Sequence, residues 1–162
     1  MAKGIIIDAT KCTGCLACEA ACSLVKESEI NRGKARIRMQ LFQDAYFYYP
    51  LVCAQCDIAY CALPCPTRAL EKNHVTGLVD FSPERCVGCN MCVVSCPFGA
   101  ITVRNGKAVK CDLCGGDPAC VKFCETKAIR FGDVEDMAQD KRLLTALRFK
   151  EAALNAAVPA GR

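Results

Sequence analysis

The chain has 162 residues, and sixteen of them are cysteine, against a single histidine and no tryptophan. Cysteine at about one residue in ten is typical of chains whose fold is organised by disulfides or metal sites. Apolar residues make up 52% of the chain, which excludes an intrinsically disordered protein. The formal net charge is +4 with every thiol counted as neutral. Metal-bound thiolates would reverse its sign, so this charge is no argument for a nucleic-acid partner.

The beginning of the chain shows no apolar signal core, twin arginine or cleavage site, so we expect a cytoplasmic protein. Because the cytoplasm keeps thiols reduced, the cysteines predict metal sites rather than disulfides. Residues 86–103 carry no charged side chain, which meets the crude length test for a spanning helix. This stretch contains four cysteines and Pro97, so buried metal ligands explain it better, and we predict no membrane span.

Short predicted strands alternate with the cysteines along the chain. Residues 4–9 and 128–133 are β-like, and we expect them to pair. Residues 35–42 and 46–52 predict a hairpin. Residues 78–81 and 101–103 flank the third group of cysteines, and we expect them to pair in the same way as residues 4–9 and 128–133. Asn105-Gly106 is a hairpin turn signal.

Residues 133–158 contain no cysteine, are rich in alanine and leucine, and predict a helix. We expect its apolar side chains to form one face, which packs on its own domain or ties the chain to a partner. The residues of that face are Leu144, Leu147, Leu154 and Val158, with Met137 one or two turns earlier.

The sixteen cysteines form four groups of four, with none left over. Groups one and three have the C-x2-C-x2-C-x3-C spacing of bacterial ferredoxins, and groups two and four lengthen only the gap between the second and third cysteine. The groups are, in order, Cys12, Cys15, Cys18 and Cys22; Cys53, Cys56, Cys61 and Cys65; Cys86, Cys89, Cys92 and Cys96; Cys111, Cys114, Cys120 and Cys124.

This spacing has a physical reason. Three thiolates on a tight loop can surround three corners of a cubane, while the fourth cysteine, expected at the start of a helix, points elsewhere; in two-cluster ferredoxins it binds the other cluster. The alternative is structural zinc, whose sites usually pair two C-x2–4-C knuckles that lie well apart in the sequence. Four cysteines packed into one short loop favour iron–sulfur clusters over zinc.

With these motifs, the chain resembles the four-cluster ferredoxin-like electron-transfer subunits that accompany molybdenum, tungsten, nickel and hydrogenase enzymes. The resemblance covers about residues 3–132. It implies an α+β fold of two ferredoxin-like dicluster modules, one inserted in the other. The outer module would comprise residues 1–44 and 105–132, the inner module residues 45–104, and residues 133–162 would be a C-terminal helix used in assembly.

The resemblance also implies four [4Fe–4S] clusters, each held by three cysteines of one group and the last cysteine of another. Pro66 and Pro97 follow the last cysteine of the two inner groups, as in ferredoxins, whereas Ser23 and Glu125 depart from that pattern in the outer groups. The implied ligand sets are site 1 (Cys12, Cys15, Cys18, Cys124), site 2 (Cys111, Cys114, Cys120, Cys22), site 3 (Cys53, Cys56, Cys61, Cys96) and site 4 (Cys86, Cys89, Cys92, Cys65).

The first group and the segment after it are similar to the small iron–sulfur subunit of tungsten-dependent aldehyde oxidoreductases. The matching residues are Cys15 with Cys18-Glu19, Cys22-Ser23 and Arg36-Ile37-Arg38. The similarity implies a non-catalytic subunit that serves a tungsten–pterin enzyme acting on aldehydes or carboxylic acids. A flavin subunit, a ferredoxin or further copies of the chain in a filament would complete the electron path. The alternatives are a carbon monoxide dehydrogenase complex, a hydrogenase complex and a free polyferredoxin.

No triad, phosphate loop, GxGxxG motif or open metal site is evident, so we predict no catalytic residue in this chain. Two other features allow two interpretations each. The aromatic run Tyr46-Phe47-Tyr48-Tyr49-Pro50 is either a buried strand that covers an inner cluster, which we favour, or a docking patch. The basic cluster (Arg32, Lys34, Arg36, Arg38) is either a solvated strand face, which we favour, or a docking site for acidic partners.

Overall fold

The computed structural model describes residues 3–157, which form four two-stranded antiparallel sheets, four α-helices and several short 3-10 turns. This mixture of helices and small sheets agrees with the predicted α+β class. The elements are β1 (Lys3–Ile7), α1 (Ala17–Glu27), β2 (Arg38–Phe42), β3 (Phe47–Leu51), β4 (Leu70–Lys72), β5 (Val79–Phe81), α2 (Met91–Val94), β6 (Thr102–Arg104), β7 (Lys107–Val109), α3 (Ala119–Lys122), β8 (Ile129–Asp133) and α4 (Val134–Ala157).

The two ends of the cysteine-bearing region pair with each other. Strand β1 runs antiparallel to β8, with Lys3 opposite Asp133 and Ile7 opposite Ile129, so the predicted pairing of residues 4–9 with 128–133 is confirmed. Helix α1 packs against α3, and α3 packs against β8. The first and last cysteine groups therefore lie next to each other, although about a hundred residues separate them in the sequence.

Three local hairpins form the rest of the sheet structure. The predicted hairpin between residues 35–42 and 46–52 is confirmed as β2–β3, and Asn105-Gly106 forms the turn between β6 and β7. The expectation that residues 78–81 and 101–103 bracket the third group as a pair is wrong. Strand β5 pairs with β4 instead, because the six residues between them, 73–78, form a hairpin loop closed by hydrogen bonds from the Asn73 amide to Leu78 and from the Gly77 amide to Asn73.

The helices begin earlier than the spacing predicted. We expected the fourth cysteine of each group at the start of a helix. Instead the third cysteine lies in the first turn, with Cys18 in α1, Cys92 in α2 and Cys120 in α3. Leu16 and Asn90 precede the first two of these helices with φ near +65°, which turns the chain sharply out of the cysteine loop. The fourth cysteine then follows one turn later.

Cysteines form a large part of the interior. One buried cluster contains thiols of groups one, two and four, and a second contains thiols of groups two and three. The aliphatic side chains around them are Ile5, Ile37, Leu113 and Ile129 in the first cluster, and Leu70, Val79 and Ile101 in the second. The interior of this chain is therefore organised around its thiols.

The helix predicted for residues 133–158 is present as α4, which contacts β1 and β8. The single apolar face predicted for it is not what the structure shows, because apolar residues are spread around the helix and Leu143, Leu147 and Phe149 are exposed. Val158 lies outside the described residues, as do the side chains of the remaining residues predicted for that face. Within residues 3–157, no helix has both the length and the hydropathy that crossing a bilayer requires.

The basic cluster is paired within the chain. Each of its four side chains contacts an acidic group or a backbone carbonyl of its own chain, and three of the four form an ion pair. The partners are Glu19 for Arg32 (2.5 Å), Glu29 for Lys34 (2.6 Å), Asp112 for Arg36 (2.9 Å), and the carbonyls of Arg32 and Gly33 for Arg38 (2.6 and 2.7 Å).

Candidate metal centres

Two cavities are lined by cysteines that come from two different groups. One is lined by Cys86, Cys89 and Cys92 of the third group together with Cys65 of the second. Gly88 and Val87 of the third loop and Leu70 of β4 complete its wall. The structure thus brings together the four cysteines of site 4.

The second cavity is lined by all four cysteines of site 2. Cys22 reaches it from α1, whereas the other three belong to the fourth group. Lys26, Arg36 and Asp112 stand at its edge, where Asp112 accepts hydrogen bonds from both cations at 2.8 and 2.9 Å. Those ion pairs hold α1 against the fourth cysteine loop, which keeps Cys22 next to the thiols of another group.

Electrostatic interactions between thiols indicate which cysteines of the other two predicted sites lie close together. Burial raises the pKa of Cys53, and it raises the pKa of Cys61 to about 11; in both cases Cys96 of the third group raises the value further. Cys96 therefore lies close to two cysteines of the second group, as site 3 requires. In site 1, Cys18 has a pKa raised to about 12 by burial, with further contributions from Cys15 and Cys12.

The last cysteine of site 1 is located less directly. The Cys124 sulfur lies 3.7 Å from the Thr126 hydroxyl, and its approach to the other three thiols of site 1 stays a prediction. A similar pair occurs in site 4, where the Cys65 sulfur lies 3.9 Å from the Thr67 hydroxyl. In both groups a threonine two residues after the fourth cysteine provides a hydroxyl beside the sulfur.

Backbone amides point at the fourth cysteines. The amide of Arg36 donates to Cys22 at 3.2 Å, that of Ala69 to Cys65 at 3.2 Å, and that of Ala100 to Cys96 at 3.4 Å. Burial alone would raise the pKa of Cys65, but these backbone contacts outweigh it and hold the pKa below its usual value. Such donors stabilise negative charge on sulfur, as a metal-bound thiolate requires.

The remaining buried thiols show what a bound group must supply. Burial raises the pKa of Cys111 to about 12 and also raises that of Cys120. Because the thiolate is the form that binds metal, a cation must compensate these sulfurs when their protons leave. Within residues 3–157, no three His, Cys, Asp or Glu side chains converge closely enough to hold a single ion. The thiols line cavities instead, which suits a cationic cluster of several atoms.

The sites are adjacent in a fixed order. Cys18 of site 1 contributes to the raised pKa of Cys120 in site 2, and Cys53 of site 3 contributes to that of Cys111 in site 2, although burial is the largest cause in both. Cys61 and Cys92, from sites 3 and 4, share one buried cluster. Thiols of the four predicted sites therefore neighbour one another in the order 1, 2, 3 and 4.

The two ends of this line reach the surface. Cys15 in site 1 and Cys89 in site 4 are the two exposed cysteines of the described chain. Exposed apolar side chains surround the loop of Cys89, namely those of Val87, Met91 and Val94. A partner that docks at either end would thus meet a cysteine loop without crossing the interior.

The aromatic run lies at the site 1 end and is mostly exposed. The Tyr48 ring stacks on Gly14 of the first loop, where an added Cβ would lie 3.0 Å from it, and Pro50 is buried. Tyr46 is 85% exposed, and Phe47 and Tyr49 are also exposed. The favoured interpretation, a buried strand over an inner cluster, is wrong, because the hairpin turns these rings outward and Tyr48 covers the first cysteine loop instead.

Two buried polar side chains that the sequence did not indicate lie between sites 2 and 3. Gln55 donates to the carbonyl of Cys111 at 2.7 Å and accepts from the amide of Val79 at 3.0 Å. Lys110 donates to the carbonyls of Val79 and Cys111 at 2.5 and 2.8 Å, and to Gln55 Oε1 at 3.4 Å. No periodicity or motif marks either residue. The one feature of the sequence that could have indicated them is that each directly precedes a cysteine.

Comparisons with known proteins agree with this chemistry. Residues 44–134 match the 4Fe-4S dicluster domain. Two Escherichia coli K12 proteins named for electron transport are each 36% identical: YsaA over 153 residues (87% of this chain, 96% of YsaA) and HydN over 179 residues (92% and 100%). The polyferredoxin-like subunit of the aliphatic sulfonate oxidoreductase of Pyrococcus furiosus is 42% identical over 123 residues, covering 74% of this chain and 70% of that subunit.

Proposed function

The chain belongs to the 4Fe-4S dicluster family of electron-transfer proteins, and from that premise we propose that it carries four [4Fe–4S] clusters as the non-catalytic wire of an oxidoreductase complex. Such clusters exchange single electrons, at potentials that charge, hydrogen bonds and solvent exposure set. The chain's own residues would bind the clusters, exclude water from the inner ones and fix the distances between them.

The proposal rests on which cysteine groups line the two cavities. In both cysteine-lined cavities, three thiols come from one group and the fourth comes from another. That is the exchange of fourth ligands by which two-cluster ferredoxins hold adjacent clusters. We extend it to all sixteen cysteines, with the four ligand sets of sites 1 to 4, and retain residues 1–44 with 105–132 as the outer module, 45–104 as the inner module and 133–162 as the assembly helix.

The order of the sites supports a through-chain path. An electron that enters beside Cys15 would pass sites 1, 2, 3 and 4 and leave beside Cys89, or take the reverse direction. Both terminal loops are exposed, and each has exposed apolar side chains nearby. A chain that carried electrons by diffusion alone would need one or two clusters, so four in a line support a fixed connection between two partners.

For the catalytic partner we propose a tungsten–pterin enzyme that oxidises aldehydes or reduces carboxylic acids in the cytoplasm. The support is the first group with its Arg36-Ile37-Arg38 strand, together with the similarity to a polyferredoxin-like subunit of an oxidoreductase. A flavin subunit, a ferredoxin or another copy of this chain would take the far end. Ion pairs with Glu19 and Glu29 compensate Arg32 and Lys34 of the basic cluster, which reduces the positive charge that could draw copies together into a filament.

Metal analysis tests the cofactor. Protein purified without oxygen should contain about sixteen iron and about sixteen sulfide per chain, the content of four cubanes, and should lose secondary structure as iron is chelated. Stoichiometric zinc with little iron would overturn the proposal.

Native co-purification from the source cells tests the partner. Co-purifying tungsten with aldehyde-dependent dye reduction is the expected result. Nickel with oxidation of carbon monoxide or hydrogen would transfer the assignment to the alternative complexes. Four clusters without any stable partner would indicate a free polyferredoxin.

A further inference from the structure

Lys110 is a buried cation without an acidic partner. Lys110 is only 4% exposed, and its ammonium donates hydrogen bonds to two backbone carbonyls and one side-chain amide oxygen. None of the ion pairs found among residues 3–157 includes it. Burying an ammonium is costly unless an opposite charge compensates it, and neutral carbonyls supply only part of that compensation.

The surroundings of Lys110 identify where the compensating charge would lie. The residue sits at the boundary between sites 2 and 3, with the carbonyl of Cys111 on one side and Gln55, which lies between Cys53 and Cys56 in the sequence, on the other. Cys53 of site 3 and Cys111 of site 2 belong to one buried cluster, and Gln55 connects the loop of Cys53 to the carbonyl of Cys111. The Lys110 ammonium, which contacts both Gln55 and that carbonyl, therefore lies where the ligand loops of the two sites meet.

We infer that Lys110 is a fixed positive charge that Gln55 and two backbone carbonyls hold between sites 2 and 3, where it stabilises the reduced form of both clusters. The inference rests on the proposed function. Reduction adds one electron, and hence one negative charge, to a cluster without any proton or bond change. A cation in the protein interior attracts that charge strongly, because little water screens it. Electrons would then be held at the crossing from the outer to the inner module.

Another lysine provides a matched comparison. Lys107 also donates to the backbone carbonyl of a cluster cysteine, that of Cys86 at 2.5 Å, but it is exposed. Water screens an exposed charge, so its effect on site 4 should be small. Lys107→Met removes the same charge and the same kind of hydrogen bond as Lys110→Met, and differs in burial and in the site affected.

The test is a redox titration of the holoprotein, poised with mediators at an electrode and followed by electron paramagnetic resonance. In Lys110→Met, two of the four clusters should become harder to reduce. At a fixed potential their ratio of reduced to oxidised form should fall about tenfold, which is about 59 mV for a one-electron couple. In Lys110→Arg the ratios of reduced to oxidised cluster should stay near those of the parent protein. In Lys107→Met the ratio for site 4 should change less than about threefold. Unchanged potentials in fully loaded Lys110→Met, or equal shifts in both methionine variants, would overturn the inference.

A second variant keeps the test decisive if Lys110→Met binds less iron. Gln55→Glu retains Lys110 but places a carboxylate against its ammonium, so the same two potentials should fall; a loaded variant with unchanged potentials contradicts the inference. If neither Lys110→Met nor Gln55→Glu binds all its iron, the iron content of Lys110→Arg decides. An equal loss of iron in Lys110→Arg would show that Lys110 is needed for packing and would contradict the inference. A full iron content in Lys110→Arg would support the role of the positive charge. Iron content of the parent protein tests the proposed function separately.

Discussion

Gly88 is the residue at which the third cysteine loop has least room. Its φ is +73°, and a Cβ added there would lie 2.4 Å from the carbonyl oxygen of Gly106 in the β6–β7 turn. A contact that short forces one backbone segment to move. The loop carries Cys86 and Cys89 of site 4, so the movement would reach two of the proposed ligands directly.

Gly88→Ala should therefore destabilise the protein by about 3 kcal/mol and lower its iron content by up to one cluster. The control is Gly99→Ala, where φ is also positive, at +60°, but no atom lies within 4 Å of the added Cβ. That variant should lose only about 1–2 kcal/mol, from backbone strain alone. Iron analysis and resistance of the visible absorbance to urea measure both. Equal effects of the two substitutions would show that the contact with Gly106 is unimportant.

Double cysteine variants test the exchange of ligands between groups. Cys22 and Cys120 belong to different groups but to one site, so Cys22→Ala/Cys120→Ala should lose no more iron than either single variant, about a quarter of the total. Cys22 and Cys18 belong to one group but to two sites, so Cys22→Ala/Cys18→Ala should lose about half. The reverse pattern would mean that each group binds its own cluster.

All sixteen candidate ligands were recognisable from the sequence, because their spacing repeats four times and each gap is short. Lys110 and Gln55 were not. Lys110 lies 31 residues from Val79 and Gln55 lies 56 residues from Cys111, the residues whose backbone they contact. Their burial follows from the packing of distant segments, which local sequence does not encode.

The strand pairs differ in how readily the sequence predicts them. The hairpins β2–β3 and β6–β7 were predictable because each is local, and β1–β8 because two β-like segments flank all the cysteines. The pairing of residues 78–81 was not, since residues 70–72 carry little strand signal of their own. Similarly, the positive φ of Leu16 and Asn90 moved the helix starts towards the third cysteine, and neither residue type requires that conformation.

Helix α4 is the element that the clusters do not need. Every cysteine precedes it, and beyond its first turns its described side chains are exposed. Leu143 and Leu147 are four residues apart and so share one side of the helix. Their exposure in a single chain is the reason to expect that the helix takes part in assembly.

Truncation after Asp133 should accordingly leave about sixteen iron per chain but weaken association with a partner or a second copy. Leu143→Ser/Leu147→Ser in the full chain should weaken association in the same direction, whereas Arg142→Ser on the same helix should not. Iron analysis and light scattering of the eluted complex give the two readouts. A truncated chain that loses iron and still assembles would make the helix a structural brace.

In the molecule as a whole, thiols occupy much of the interior and line cavities, where other proteins have an apolar core. Buried thiols with raised pKa values disfavour the thiolate in the absence of a cation, so cluster binding and folding should be coupled. The same arrangement puts four sites in a row with an exposed cysteine loop at each end. The length of the proposed path, rather than any single site, would distinguish this chain from a carrier with one or two clusters.

The central claim is that four clusters lie in a row and that each takes its fourth ligand from another cysteine group. Anomalous diffraction at the iron edge from anaerobically grown crystals tests it most directly, because it locates iron independently of the protein fold. We expect four separate iron peaks, with Cys22 at the peak of Cys111, Cys114 and Cys120, and Cys65 at the peak of Cys86, Cys89 and Cys92. A single peak surrounded by Cys12, Cys15, Cys18 and Cys22, or signal at the zinc edge in place of iron, would contradict it.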